Sequence, residues 1–184
     1  MPIVIPYTKQ TWVDGSGGGT PVSAARLGVV EEGILDVSQA PAVGVYHNAA
    51  QSIPTGAVTA LAFNSERFDQ AGGVAATHHD NVTNNSRLAC LYAGIYLIDI
   101  SYEWAASNAG TVRDVNLRLN GATTIATDRK LPVATVTQNG GISRIYQLAV
   151  NDYIEVAVYQ DTGAGLNMNA TGNRSPEFTM IRIA

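Results

Sequence analysis

An alternation of apolar and polar residues limits what this chain can fold into more than any other feature. Between residues 94 and 104, every second position is apolar or aromatic, and the positions between them are mostly polar. Successive side chains of a β-strand point to opposite faces, so a period of two is typical of a strand with one buried face. The segment is therefore predicted to be a half-buried strand of an antiparallel sheet.

The same alternation recurs after residue 42. Residues 112–119 alternate up to Asn120-Gly121, a dipeptide typical of a tight hairpin turn. Residues 142–149 and 153–160 are predicted to pair with each other around Asn151-Asp152. Further strands are predicted at 43–47, 57–63, 87–92 and 177–183. About eight short strands between Gly, Asn, Asp and Pro clusters predict an all-β sandwich or jelly roll. The predicted core is Tyr96, Ile98, Ile100, Tyr102, Leu117, Leu119, Ile154, Val156 and Phe178.

Residues 21–40 have the period of a helix instead. Thr20-Pro21 is a favourable start, because Thr caps the first turn and Pro suits its first position. The apolar residues that follow recur at spacings of three and four, so they form one stripe. They are Leu27, Val30, Ile34 and Val37. So short a helix is marginal alone, and it is predicted to pack on the body or on symmetry-related copies.

Residues 1–20 show no helical period. Pro2 and Pro6 favour an extended backbone, and the Gly-Ser-Gly-Gly-Gly run at 15–19 is a flexible link. Trp12 has no local core to enter. The residues leave two interpretations open: a disordered tail, or an arm that docks on a partner through Trp12. The chain thus divides into an arm at 1–20, a short helix at 21–40 and a strand-rich body at 41–184.

Composition narrows the function classes. The chain is 46% hydrophobic and only 14% charged, which excludes a disordered protein. Its 11 Lys and Arg are outnumbered by 15 Asp and Glu, so a nucleic-acid partner is not predicted. Neither a signal peptide nor a membrane span is apparent, and synthesis in the cytoplasm without membrane insertion is expected. Few charges among many small residues indicate surface buried between subunits.

The residues capable of chemistry form no recognisable motif. The single cysteine, Cys90, is predicted to be a buried, inert thiol. His78 and His79 are predicted to lie in a solvated loop, because adjacent strand residues rarely chelate together. Weaker candidates are Asp161, Asn167 and Asn169 as calcium ligands, and Glu66, Asp69 and Asp80 as glycosidase carboxylates. No catalytic residue, metal site or cofactor is predicted.

Several segments of the body occur in the order of a known fold. They are Ala57 to Phe63, Phe68-Asp69, Arg87 to Ile98, Leu119-Asn120-Gly121, Leu148 to Val156 and Phe178 to Ile183. Together they resemble the C1q/TNF-like jelly roll. Asn151 stands where that family usually has Gly, at a position whose positive φ Asn tolerates. The resemblance implies an all-β jelly-roll sandwich that forms trimers around a threefold axis. Ligands vary too widely in that family to name one.

The first 40 residues resemble the N-terminal segment of small bacteriophage virion proteins, often tail-associated. The matching residues are Tyr7, Trp12-Val13-Asp14-Gly15, Pro21 to Leu27, and Glu31 to Ile34. Gly28 departs from the Asn that usually follows the Leu. Such segments attach an outward domain to a virion. The resemblance therefore implies an anchoring arm that includes Tyr7, Trp12, Val13 and Asp14.

Both resemblances suggest a non-enzymatic structural protein of a bacteriophage virion, made in the host bacterial cytoplasm. It would be a trimeric appendage held by its arm, as a minor tail protein or a capsid decoration protein. Its expected partners are its own copies and other virion proteins. One alternative is a receptor- or carbohydrate-binding adhesin of the tail tip, with a host surface glycan as partner. Another is a glycan hydrolase.

Overall fold

A computed structural model describes residues 23–38, 40–72 and 76–184. The predicted arm residues Tyr7, Trp12, Val13 and Asp14 lie outside the described residues, as does the predicted helix start at Thr20-Pro21. The helix, α1, spans Ala24–Ser38. Twelve strands follow it: β1 (Ala42–Tyr46), β2 (Gln51–Ile53), β3 (Thr59–Ala60), β4 (Ser65–Gln70), β5 (Arg87–Ala89), β6 (Gly94–Trp104), β7 (Arg113–Leu119), β8 (Thr123–Lys130), β9 (Gln138–Leu148), β10 (Tyr153–Gln160), β11 (Leu166–Met168) and β12 (Glu177–Arg182).

The strands form two antiparallel sheets. In the first sheet the main order is β9, β6, β12, β1 and β4. At the Trp104 end of β6, β11 pairs with β6 on the same side as β12, and β2 pairs with β11. In the second sheet the order is β8, β7 and β10, with β5 and β3 sharing the far edge of β10. The sheets bury their facing sides against each other, which is the arrangement of a β-sandwich.

The core lies between the sheets and follows the alternation of the long strands. From β6, the core receives Tyr96, Ile98, Ile100, Tyr102 and Trp104, all at most 2% exposed. Leu117, Ile154, Val156 and Phe178 are fully buried as well. Phe178 packs against Phe63 with ring centroids 5.4 Å apart. Leu119 is only partly buried and packs against the edge of this cluster.

The predicted pairing of residues 142–149 with 153–160 is wrong. β9 pairs with β6 in the first sheet, whereas β10 pairs with β7 in the second. A turn at residues 149–152 carries the chain between the sheets. Asn151 takes a φ of 72° there, and Asp152 and Ala149 exchange two hydrogen bonds. Alternation determines which side of a strand is buried, but it carries no information about the partner strand.

Four strands were not predicted: β2, β4, β8 and β11. β8 has few apolar residues and no buried position, so it gives no alternating signal. It pairs with β7 beyond Asn120-Gly121, whose residues both have positive φ as expected for this turn. In the predicted segment 57–63 only Thr59–Ala60 is a strand, although Leu61 and Phe63 are fully buried in the core.

The sandwich has two distinguishable ends. The register places Ala42, Gly94 and Arg182 together at one end, which we call the near end because α1 joins β1 there. Tyr46, Trp104 and Glu177 lie at the opposite, far end. Loops at the far end, such as 105–112 and 169–176, are thus separated from the start of β1 by the length of the sandwich.

Candidate functional site

The outer side of the first sheet carries an apolar surface. Ile145, Leu97 and Ile181 are direct cross-strand partners in a row across β9, β6 and β12. Direct partners in a sheet share a face, and the inner positions of these strands belong to the core. Ile145 is 58% exposed and Ile181 is 36% exposed. The outer apolar patch consists of Phe68, Ile95, Leu97, Ile145, Ile181 and Ile183.

Phe68 extends this patch across β1 because residue 44 has no side chain. Gly44 pairs with Phe68 on one side and with Thr179 on the other. A Cβ atom added at Gly44 would lie 2.9 Å from the Phe68 ring. The ring, 45% exposed, can therefore lie against the backbone of β1. An apolar surface of this extent on one face of a sandwich indicates a protein-protein contact.

The outer side of the second sheet is polar by contrast. Asp114 on β7 accepts two hydrogen bonds of 2.7 Å from the guanidinium of Arg129 on β8. On β10, Glu155 accepts a hydrogen bond of 2.9 Å from Arg87 and pairs across the ladder with Arg118. Charged pairs and amides along this face are typical of a surface that stays in water.

In sequence, the helix stripe is close to the first strand that borders the outer apolar patch. Leu27 is 50% exposed and Ile34 is 64% exposed, whereas Val30 is partly buried. The side chain of Val37 lies outside the described residues. After the helix, Ala42 of β1 is the cross-strand partner of Ile181. The chain thus passes from an exposed apolar stripe directly to the edge of the outer apolar patch.

The expectation of a solvated loop for His78 and His79 is wrong, because their residues are 1% and 4% exposed. The edge strand β4 turns Glu66 and Asp69 towards the inner side of its sheet, where they pair with Val45 and Val43. The loop folds over this edge. His79 Nδ1 lies 3.0 Å from Glu66 Oε1, and the His79 backbone N–H donates to Asp69. Burying the loop thus supplies partners to carboxylates that would otherwise lie unpaired at the margin of the core.

Each of the three candidate glycosidase carboxylates forms hydrogen bonds within the protein. Glu66 and Asp69 hold the histidine loop, and burial raises the pKa of Asp69 in spite of its hydrogen bonds from backbone N–H groups. Asp80 accepts hydrogen bonds from the backbone of Val82 and Thr83, which lower its pKa. These contacts give each carboxylate a structural role.

Most of the remaining candidates for chemistry also form contacts within the protein, whereas the Asn167 side chain is exposed. Cys90 is 1% exposed, as predicted, and burial raises the pKa of its thiol. Of the candidate calcium ligands, Asp161 binds the 111–112 backbone and Asn169 donates to Glu103. Among the residues that the structure describes, no cluster of three His, Cys, Asp or Glu side chains could hold a metal ion. In the same part of the chain, no helix has the length and hydropathy to cross a bilayer.

Comparison with known proteins identifies the fold. No family model and no curated protein matches the sequence. Among solved structures, the globular domain of zebrafish complement 1qA protein aligns with a TM-score of 0.54 at 13% identity, covering 79% of this chain and 98% of that one. Murine APRIL aligns with a TM-score of 0.59 at 10% identity, covering 78% and 99%. Eiger TNF from S. frugiperda aligns with a TM-score of 0.56 at 11% identity, covering 79% and 94%. The body is a C1q/TNF-like jelly roll.

The comparison thus confirms the predicted fold class, an all-β jelly-roll sandwich. Identities of 10% to 13% establish a shared fold and leave the ligand and the source of the chain open. Sequence reasoning missed the outer apolar patch, although a signal was present. Ile95, Leu97, Ile181 and Ile183 are apolar at positions that alternate with core residues, so both strands are apolar on both faces over their near-end part.

Proposed function

We propose that this chain is a non-enzymatic structural protein of a bacteriophage virion, in which three copies assemble through the jelly roll. In this proposal its N-terminal segment anchors the trimer as a minor tail protein or a capsid decoration protein. The observation that carries the proposal is the difference between the two outer faces of the sandwich, since the near-end part of one forms the outer apolar patch and the other is polar along its length.

Assembly through the outer apolar patch follows from its exposure. Each Ile or Phe side chain that leaves water on association contributes roughly 1.5–3 kcal/mol. Phe68, Ile145 and Ile183 are exposed, so a monomer with this face in water is less stable than an assembly that covers it. A trimer is the assembly that the C1q/TNF-like resemblance implies.

Anchoring through the N-terminus agrees with the place where the helix joins the sandwich. The helix joins the body at the near end, beside Ala42 and the patch, so a trimer built on the patch would bring three copies of the stripe close together. The far-end loops then point away from the anchor. The proposal that the trimer is anchored to a virion rests on the resemblance of the first 40 residues to phage virion proteins. In the tail version, these loops are the part that would face the host.

The test compares the full chain with a chain lacking residues 1–20. We expect both to have the mass of a trimer by light scattering, and only the full chain to be incorporated into virions. Gold-labelled antibody against the jelly roll, viewed on virions by electron microscopy, distinguishes head from tail. A full chain that is monomeric at micromolar concentration contradicts the assembly, and virions without label contradict the virion role.

A further inference from the structure

A pocket of about 290 Å³ opens beside the histidine loop, at the β5 edge of the second sheet. The loop after residue 76 forms one wall, and β5 with the start of β10 forms the other. The residues that matter for its chemistry are Asp80, Thr83, Asn84, Arg87, Asn151 and Tyr153. None of them belongs to the outer apolar patch.

The pocket presents polar groups that make no hydrogen bond to any other described residue. Asp80 uses only Oδ1 to cap the loop backbone, which leaves Oδ2 unpaired. Arg87 donates from Nε to Glu155, and its two terminal nitrogens have no partner among the described residues. The side-chain amides of Asn84 and Asn151 are exposed and similarly unpaired within the described chain. Acceptors and donors therefore line one small space.

The walls of the pocket are held in place. The guanidinium of Arg87 lies 4.2 Å from the centroid of the Tyr153 ring, and its bond to Glu155 fixes it from the other side. Asp80 ties the loop through the backbone of Val82 and Thr83. Polar groups fixed in advance lose little conformational entropy when a ligand binds.

Two unusual features of the fold also converge here. Of the three non-glycine residues with positive φ in the described chain, Asn84 (54°) and Asn151 (72°) both line the pocket. Sparsely populated backbone conformations cluster at binding sites. His78 also lines the pocket, and its Nε2 is buried without a partner among the described residues, while its Nδ1 bonds the Ala89 carbonyl. A buried unpaired nitrogen of this kind calls for an explanation beyond packing.

The chemistry of the lining identifies the class of ligand. One carboxylate and one guanidinium leave the pocket without a strong excess of charge, so a neutral ligand suits it. Neighbouring acceptors and donors match a molecule whose adjacent groups both donate and accept, which is the property of vicinal hydroxyls. The volume is at the lower limit of about 300–1,000 Å³ for small-molecule sites, enough for one sugar ring. We propose that this pocket binds a neutral monosaccharide unit.

The proposal is tested by saturation-transfer NMR on the full chain. The probes are the methyl glycosides of glucose, galactose, mannose and N-acetylglucosamine, each at millimolar concentration. Asn84→Gly and Asn151→Gly remove one amide each while glycine accepts positive φ without strain, so folding should be unaffected. We expect at least one sugar to bind, and each variant to weaken that binding roughly three- to tenfold, the effect of one lost hydrogen bond.

Asn108→Gly is the matched control, because it removes an exposed amide from a loop at the far end. It should bind sugar like the unaltered chain, and thermal melting should show all three variants to be folded. If none of the four sugars gives saturation transfer, or if the pocket variants bind as tightly as the control, the pocket is not a sugar site. These outcomes are independent of the oligomeric mass and of virion incorporation.

Discussion

At the residue scale, a polar bridge closes one side of the sandwich and depends on a glycine. The Tyr102 hydroxyl of the first sheet donates to Asp128 of the second, and Lys130 of the second donates to the Asn139 carbonyl of the first. Gly140 lies against this bridge. A Cβ atom at position 140 would overlap the Tyr102 hydroxyl and lie 2.7 Å from Lys130 Nζ.

We therefore expect Gly140→Ala to destabilise the jelly roll by about 1–3 kcal/mol, because Tyr102 is too deeply buried to move aside. Urea denaturation measures this change. Gly28→Ala is the control: a Cβ there meets nothing within 4 Å, and alanine favours a helix over glycine by up to about 1 kcal/mol. Equal stability of the Gly140→Ala protein and the unaltered chain would show that the bridge adapts.

Asp161 provides a prediction that depends on pH. It accepts hydrogen bonds from the Thr111 hydroxyl and from the backbone of Thr111 and Val112, and these lower its pKa from 3.8 to about 2. A carboxyl with a lowered pKa stabilises the fold when ionised. The contribution is fully present above about pH 4 and is lost as the pH falls towards 2.

Asp161→Asn should consequently lower the melting temperature at neutral pH, and the difference from the unaltered chain should shrink between pH 4 and pH 2. Asp99→Asn serves as the comparison, because burial raises the pKa of Asp99. Its ionised form opposes folding, so Asp99→Asn should raise the melting temperature at neutral pH, and this gain should disappear as the pH falls to about 4. Parallel melting curves across this range for the Asp161 variant would contradict the assignment.

At the element scale, the helix α1 depends on contacts with other parts of the protein or with other copies for its stability. Its 15 residues are near the length at which an isolated helix is marginal, and Gly28 and Gly33 weaken it. Leu27 and Ile34 stay largely exposed in the single chain. A helix of this kind needs partners, and in the proposed trimer other copies supply them.

Ile34→Asp should therefore weaken the trimer or its attachment, since a charge on the stripe would have to be buried between copies. Sedimentation across a dilution series and virion incorporation measure these two effects. Val29→Asp is matched to it, because Val29 is 36% exposed on the same helix but lies away from the stripe. An unchanged mass together with unchanged incorporation of the Ile34 variant would show that the stripe makes no contact.

At the scale of the whole molecule, the proposed trimer would cover the outer apolar patch and leave the outer face of the second sheet in solvent. Ile145 lies in the apolar row and is 58% exposed, while the Arg129–Asp114 pair marks the polar face. The low charged fraction of the chain agrees with this division, because a surface between subunits needs few charges.

Replacing Ile145 by Asp should shift the trimer towards monomers without unfolding the jelly roll, since the side chain lies on the outer face. Val136→Asp is the matched control, as Val136 is 57% exposed but lies outside the patch. Light scattering gives the mass and circular dichroism the fold. A full trimer of the Ile145 variant at all concentrations would place the assembly surface elsewhere.

The alternation along β6, β7 and β10 was sufficient to predict these strands, their buried faces and the fold class. The turns at Asn120 and Asn151 were also predictable, because positive φ at a non-glycine position favours asparagine. Both properties are local: they depend on residues one or two positions apart, and a sequence displays them directly.

Only the tertiary structure decided what lies far apart in sequence. It placed β9 and β10 in different sheets and buried His78 and His79 against the edge of β4. It also aligned Leu97, Ile145 and Ile181 into one exposed row. Strand register and loop packing arise from contacts between residues tens of positions apart, and the local period of a sequence carries no record of such contacts. The sequence determined which residues are buried in each long strand, and tertiary packing determined which surfaces those strands present together.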